Sequence, residues 1–220
     1  MKTTTAITVG TATYLAGLAV GYQLLLRRKC LMWGATTDEV ARIMPGDELL
    51  ADPDIVATRA ITIDAETTAI WPWLVQLGPG RGGAYTYDWI ENLLGLNMHS
   101  ADKILPEFQN LTVGDTFELG KSGPRLRVAT IEPEHALVFV STDGHWVWAF
   151  GLYPGTEGTR LVSRNRITLP DSGLPTRLFN RLIMEPGSWI MERKMLIGIQ
   201  QRAERGSTSV IDRPIAVQAG

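Results

Sequence analysis

The sequence predicts an α+β domain in which a curved antiparallel sheet wraps a long C-terminal helix, preceded by an N-terminal transmembrane helix. Three observations carry this. Between Val113 and Leu169 five short runs alternate apolar and polar residues, each closed by Gly, Pro or Asp-Gly, the pattern of an antiparallel meander. From Leu174 to Arg205, Leu178, Leu182, Trp189, Leu196 and Ile199 fall near one helical stripe, as expected for a helix laid on a core. From Thr3 to Leu26 there is no charged side chain, and such a run spans roughly 30 Å as a helix, about one hydrocarbon core.

The elements follow in chain order. Residues 1–29 read as an uncleaved transmembrane anchor. A cleaved signal peptide is the competing reading, but the apolar run lacks a small-x-small cleavage site and leads into Arg27-Arg28-Lys29. That basic triplet favours a cytoplasmic body on a single-pass cell-membrane protein, opposed by Lys2 and the α-amine. Gly17-x-x-x-Gly21 offers a close-packing face. Residues 30–53 read as a juxtamembrane connector, with a short helical stretch from Thr37 ended by Pro45-Gly46. "DIVATRAITIDA" places Ile55, Ala57, Arg59, Ile61 and Ile63 on one parity and reads as a strand. "AETTAIWPWLVQLG" reads as a helix with Asp64 as N-cap and Pro72 inside it or at a break. "TYDWIENLLGL" is a second, short helix whose apolar side (Trp89, Ile90, Leu93, Leu94) is expected to face the body. The strands follow, with Asp143-Gly144 as a hairpin turn. Pro186-Gly187 is expected to kink or interrupt the last helix. The folded domain is thus residues 54–205, and 206–220 form a flexible tail.

Composition bounds the function. The chain has 220 residues, 45% of them hydrophobic, and seven tryptophans, enough for a sizeable core. A lone cysteine, Cys30, excludes an internal disulfide. Lys2, Arg27, Arg28 and Lys29 leave the rest of the chain with 17 basic and 23 acidic residues. An acidic body is a poor nucleic-acid binder, because phosphate neutralisation needs clustered cations. His99, His135 and His145 are scattered, so neither a metal site nor another cofactor is expected.

The order strand, two helices, curved sheet, long helix is the helix-grip order. The run "WPWLVQLGPGRGGAYTYDWIENLLG", with "EPEHALVF" and "TRLVSRNRI" downstream, resembles actinobacterial members of the START-like, polyketide-cyclase-type superfamily. The resemblance covers about residues 54–203. It implies an apolar cavity between sheet and last helix, and it says more about fold than about function.

Candidate site residues come from two places. Gly78, Gly80 and Gly83 spell the dinucleotide fingerprint G-x-G-x-x-G, but they follow a helix rather than a strand and lead into no βαβ unit, which argues against a Rossmann site. A C-cap and tight turn, with Gly78 or Gly80 at positive φ, accounts for the glycines. It does not account for Arg81, Tyr85, Tyr87, Asp88, Trp89 and Glu91 together, which are expected at or near a cavity mouth. Arg81 would either pair with Asp88 or Glu91 or bind an anion. Trp146, Trp148 and Phe150 share a strand face that reads first as core packed against the last helix and second as a cavity wall, and Trp189 on the apolar stripe of that helix is a further candidate. Arg160, Arg164 and Arg166 share a face, and three such arginines are more often solvated than internal. No catalytic residue stands out. The expectation is a tethered binding or carrier domain for a hydrophobic, lipid- or polyketide-like small molecule. The alternatives are a cyclase, dehydratase or aromatase acting in the same cavity, or a ligand-free interaction scaffold.

Overall fold

The structure, a computed structural model, describes residue 17 and residues 21–93, 95–120, 123–169 and 173–211. Most of the expected anchor, Leu94 and residues 212–220 of the expected tail lie outside these, whereas residues 206–211, expected in that tail, continue the last helix. Among the described residues no helix is long and apolar enough to cross a membrane.

Six strands, β1 (Ile55–Ile63), β2 (Thr116–Glu118), β3 (Arg125–Glu132), β4 (Ala136–Ser141), β5 (Trp146–Gly155) and β6 (Gly158–Ile167), form one sheet. Their order is β1-β6-β5-β4-β3-β2 and every neighbour is antiparallel. The expected strands and the Asp143-Gly144 hairpin between β4 and β5 are all present. A bulge between Val128 and Thr130 breaks the β3–β4 register, and such an extra residue bends a strand and increases its twist.

The long helix α6 (Glu185–Ile211) packs along the inner face of the sheet, with α3 (Thr67–Val75) beside it. Inward parity places Ile63 of β1, Phe139 of β4, Phe150 and Leu152 of β5 and Leu161 of β6 against Leu74, Met195, Leu196 and Ile199 of the two helices. Pro186 does not interrupt α6. It sits in the first turn of α6, and the helical run expected from Leu174 is interrupted just before it by a π-helical turn over Asn180–Met184 that joins α5 (Leu174–Phe179) to α6.

Three expectations need correcting. The residue capping α3 is Glu66 rather than Asp64, and its side chain makes no capping bond. The short helix α4 (Asp88–Leu93) is turned over: Trp89 and Leu93 are exposed, and Glu91 is buried. Six residues have too little apolar area to set their own orientation. Hydrogen bonds do so instead, with Asp88 accepting from the Ser100 backbone and hydroxyl (2.8 and 2.6 Å) and Asn92 exchanging two bonds with the Met98 backbone.

The third correction concerns the connector, which belongs to the fold. α1 (Arg27–Leu31), α2 (Thr37–Ala41) and a 3₁₀ turn at Asp47–Leu50 carry the chain around β1 and across the outer face of the sheet. Trp33 covers the free edge of β1 by accepting from the Ala60 N–H (3.1 Å). Thr36 and Glu39 close a capping box on α2, satisfying two otherwise orphaned N–H groups. Met44 then seals a second core against Ala60, Val138, Val147, Ala149 and Val162. Arg164 is consequently 2% exposed rather than solvated. Its guanidinium reaches Thr58 Oγ1, the carbonyls of Glu39 and Arg42, and Asp47. Arg160 binds Glu39 and Arg166 binds Asp47 on the same strap.

Gly46 sits at φ 92°, and a Cβ there would lie 2.5 Å from Val138 Cγ1 in that outer core. Gly46→Ala combines backbone strain with overpacking, so we expect it to destabilise the domain by about 1–3 kcal/mol in denaturant unfolding. A wild-type midpoint would show that the strap does not contribute to the stability of the sheet.

Candidate functional site

The sheet does not close fully on its helices. Between its inner face, α4 and the N-terminal half of α6 lies a cavity of about 1230 Å³. Its walls are predominantly apolar: Ala57 of β1, Phe139 of β4, Trp146 and Trp148 of β5, Ile167 of β6, and Met191 and Met195 of α6. The two tryptophans stack at 5.7 Å, and Trp148 lies 4.8 Å from Phe150, which is itself core. Thioethers and aromatic faces make an adaptable, non-directional wall.

One side of the cavity rests on a buried polar network. Arg59 faces inward from β1 with no solvent exposure and pairs with Glu192 of α6. The rest of its guanidinium donates to the Cys30 carbonyl (2.9 Å) and Ser188 Oγ (3.1 Å). Glu192 also accepts from Ser163 Oγ (2.5 Å) and from the Asn165 amide (3.1 Å to each oxygen). Ser163 and Asn165 in turn accept the indole N–H groups of Trp148 (3.0 Å) and Trp146 (2.8 Å). Both cavity tryptophans are thus fixed in rotation through a hydrogen-bonded chain that ends on the ion pair. Glu192, Asn165 and Ser188 reach the cavity surface with their hydrogen bonds already made.

Glu91 is different. It lines the cavity, is 5% exposed, and its Oε2 has no hydrogen-bond partner. Burial raises its carboxyl above the usual carboxylate range, and the Asp88 charge adds to this. The Thr86 hydroxyl, also on the cavity wall, works the other way without forming a hydrogen bond of good geometry. A buried carboxyl with a free oxygen is either a hydrogen-bond site for a ligand or a proton donor and acceptor.

The structure therefore gathers Glu91, Trp146 and Trp148 on the cavity and places the other expected residues elsewhere. Arg81 donates through Nη2 to the carbonyls of Val75 and Phe108 (3.0 Å each) and lies over the Phe108 ring, bracing the glycine turn rather than pairing with Asp88 or Glu91, while its buried Nε has no partner. Tyr85 is 1% exposed, donates to the Trp73 carbonyl (3.0 Å) and sits edge-on to Trp73. Its φ of 58° turns the chain into the core just after the glycines, so it is a brace and not a mouth residue. The Tyr87 ring has the Lys194 ammonium 5.9 Å from its centroid. Asp88 is committed to Ser100, Trp89 is 69% exposed, and the buried Trp189 Nε1 has no partner. Gly78, Gly80 and Gly83 all take positive φ, and Gly78 pairs with Gly83 as an isolated bridge, the tight turn that accounts for the glycines. Sequence reasoning missed Arg59 and Glu192. The signal was present: Arg59 interrupts an otherwise apolar parity, and Glu192 stands between Trp189 and Leu196 on the buried stripe.

Among the described residues, no group of three or more His, Cys, Asp or Glu is placed to hold a metal ion. No family model matches the chain, and no curated protein matches it. Solved structures of similar arrangement include three that illustrate the range. A protein from Mesorhizobium loti is 17% identical, with 69% of this chain and 98% of that one covered and a TM-score of 0.42. A polyketide-cyclase-like protein from Corynebacterium glutamicum is 16% identical, with 75% and 97% covered and a TM-score of 0.35. An AHSA1-like protein from Aeromonas hydrophila is 18% identical, with 70% and 94% covered and a TM-score of 0.37. The class, a helix-grip protein with an internal apolar cavity, rests on strand order, the seating of α6 and the cavity itself.

Two predictions follow from the charges. Glu192→Ala leaves the Arg59 guanidinium buried and unpaired, so it should cost about 3–5 kcal/mol in denaturant unfolding, and the double variant Arg59→Met/Glu192→Leu should recover most of that. A double variant as unstable as the single one would refute the ion-pair account. For Glu91 the folded carboxyl holds its proton to higher pH than the unfolded one. Stability is therefore lost as pH rises from the ordinary carboxylate range through the raised value. Glu91→Gln cannot ionise, so its stability relative to wild type should grow as pH rises through that window. A pH-independent difference would mean that Glu91 ionises normally.

Proposed function

We propose that this chain is a membrane-tethered binding or carrier domain for a hydrophobic small molecule, lipid- or polyketide-like in character, held in the internal cavity. The observation that carries the reading is the cavity of about 1230 Å³ with its aromatic and thioether walls. Ordinary small-molecule sites enclose about 300–1,000 Å³, so the space suits a long-chain or multi-ring molecule. A cavity of this size also weighs against the ligand-free scaffold. The tether is the uncharged run from Thr3 to Leu26, and the Arg27-Arg28-Lys29 triplet argues for a body on the cytoplasmic side. The acidic body argues against nucleic acid as a partner.

An enzyme of cyclase, dehydratase or aromatase type is the second reading, and Glu91 favours it. A carboxyl raised by burial and facing an apolar cavity has the character of a general acid or base. Glu192 and Glu185, the other buried carboxylates on the wall, are already engaged, the first by Arg59, Ser163 and Asn165 and the second by Arg27 and Tyr22, so neither offers a free partner to Glu91. The carrier reading therefore comes first, with Glu91 as the group that receives a ligand's hydroxyl or other donor.

Binding is readable with the fluorescent fatty acid cis-parinaric acid, since Trp146 and Trp148 in the wall would transfer energy to it. Met191→Trp should fill part of the cavity and weaken probe binding about tenfold or more, a loss of about 1.4 kcal/mol or more. The unfolding midpoint should stay close to wild type. Unchanged affinity in the folded variant would exclude the cavity as the binding site.

A further inference from the structure

The segment from Gly173 to Met184 is largely exposed. Every residue from Leu174 to Phe179 is exposed, and Leu178, Phe179, Ile183 and Met184 are 41–57% exposed. Large apolar side chains in this number, on consecutive helical turns, form the kind of patch that soluble surfaces avoid. The segment also carries Arg177 and Arg181 and no acidic residue. Arg27 of α1 meets it: Arg27, Arg177 and Arg181 line one hollow together with Asp54 and Glu185. Arg27 is held there by Glu185 at 2.9 Å. Arg28 and Lys29 are exposed beside it, and so are Leu25 and Leu26, the last residues of the uncharged run. Apolar surface and clustered cations thus coincide at the point where that run joins the body of an otherwise acidic domain.

We infer that the exposed face of α5 and the following π-helical turn docks on an anionic lipid bilayer, the same bilayer that holds the N-terminal run. An interfacial helix needs apolar side chains at the acyl boundary and cations at the headgroups, and cations near an anionic leaflet add attraction. Both are present, and the tether fixes which surface is presented. The docking has a consequence for the cavity. Met184 is half exposed on this face and also lines the cavity, as do Asn180 and Ser188. Docking therefore turns one wall of the cavity mouth toward the lipid, so that an apolar ligand passes between bilayer and cavity without crossing water. The inference rests on the tethered-carrier reading.

The test uses the full chain in phosphatidylcholine–phosphatidylglycerol vesicles. Cys30→Ser removes the native thiol, and single cysteines are introduced by Phe179→Cys, Ile183→Cys and, as a reference on the exposed β5–β6 turn, Thr156→Cys. Each carries an environment-sensitive nitrobenzoxadiazole label. We expect the labels at 179 and 183 to emit to the blue of the reference, to be quenched several-fold more strongly by doxyl-labelled lipid, and to resist aqueous iodide. Labels at 179 and 183 as open to iodide as the reference would overturn the docking. So would labels shielded from iodide yet insensitive to doxyl lipid, a result that assigns the face to a protein partner or a second copy. The carrier reading is checked separately in the same vesicles by parinaric-acid binding, and the tether by resistance to alkaline carbonate. Failure of either is thus distinguishable from failure of the docking.

Discussion

A guanidinium with no solvent exposure has to be neutralised where it lies, and Arg59 meets that requirement with one residue of one helix. Glu192 faces it from α6, so the long helix can take only the height and rotation on the sheet that bring the two groups together. Buried pairs of this kind contribute little net stability, yet either partner left alone is costly, so the two must meet. Here the arrangement extends further. The second oxygen of Glu192 holds Ser163 and Asn165, and these hold the indole N–H groups of Trp148 and Trp146. The ring planes of the cavity wall are thus set by the contact that seats the helix. A wall fixed in this way keeps its shape when empty, and a preformed cavity spares a ligand the cost of ordering it.

The outer face of the sheet is closed by a different means. β4 is buried along its whole length, so its outward residues need cover as much as its inward ones. The strap from Trp33 to Leu50 provides it, with Met44 as the apolar plug. Arg160, Arg164 and Arg166 bind the strap through its acids and its carbonyls. Because the Cys30 carbonyl also receives Arg59, the same stretch of chain contacts both faces of the sheet around the β1 edge. The piece of chain from Arg27 onward is therefore continuous with the structural frame of the domain. In the proposed function this is what gives a tether an orientation.

The cavity survives because the elements that could fill it are held back. α4 is oriented by Asp88 and Asn92 through hydrogen bonds to the loop at 98–100, which turns Glu91 inward and leaves Trp89 outside. A carboxyl takes a place that an indole would otherwise occupy. Tyr85 and Arg81 brace the glycine turn by hydrogen bonds to carbonyls, and Gly78 comes onto the cavity wall without a side chain to fill it.

The sequence by itself determined the strands, their hairpin, the long last helix and the parity that puts Trp146, Trp148 and Phe150 on one face. Alternation at period two and recurrence at period 3.6 are local properties that survive without knowledge of the partner. It also determined the positive φ of the glycine turn, because few other residues adopt that backbone readily. Tertiary structure alone decided which polar residues meet. Arg59 and Glu192 are far apart in the chain, and each looked at most like a flaw in an apolar pattern until the two were superposed. The same holds for Arg164, which looked solvated because nothing local shows that residues 39–47 will fold across it. It holds for α4, where six residues carry too weak a periodicity to oppose the hydrogen bonds of a neighbouring loop. Apolar periodicity is written along the chain, whereas the neutralisation of a buried charge depends on what the fold brings against it.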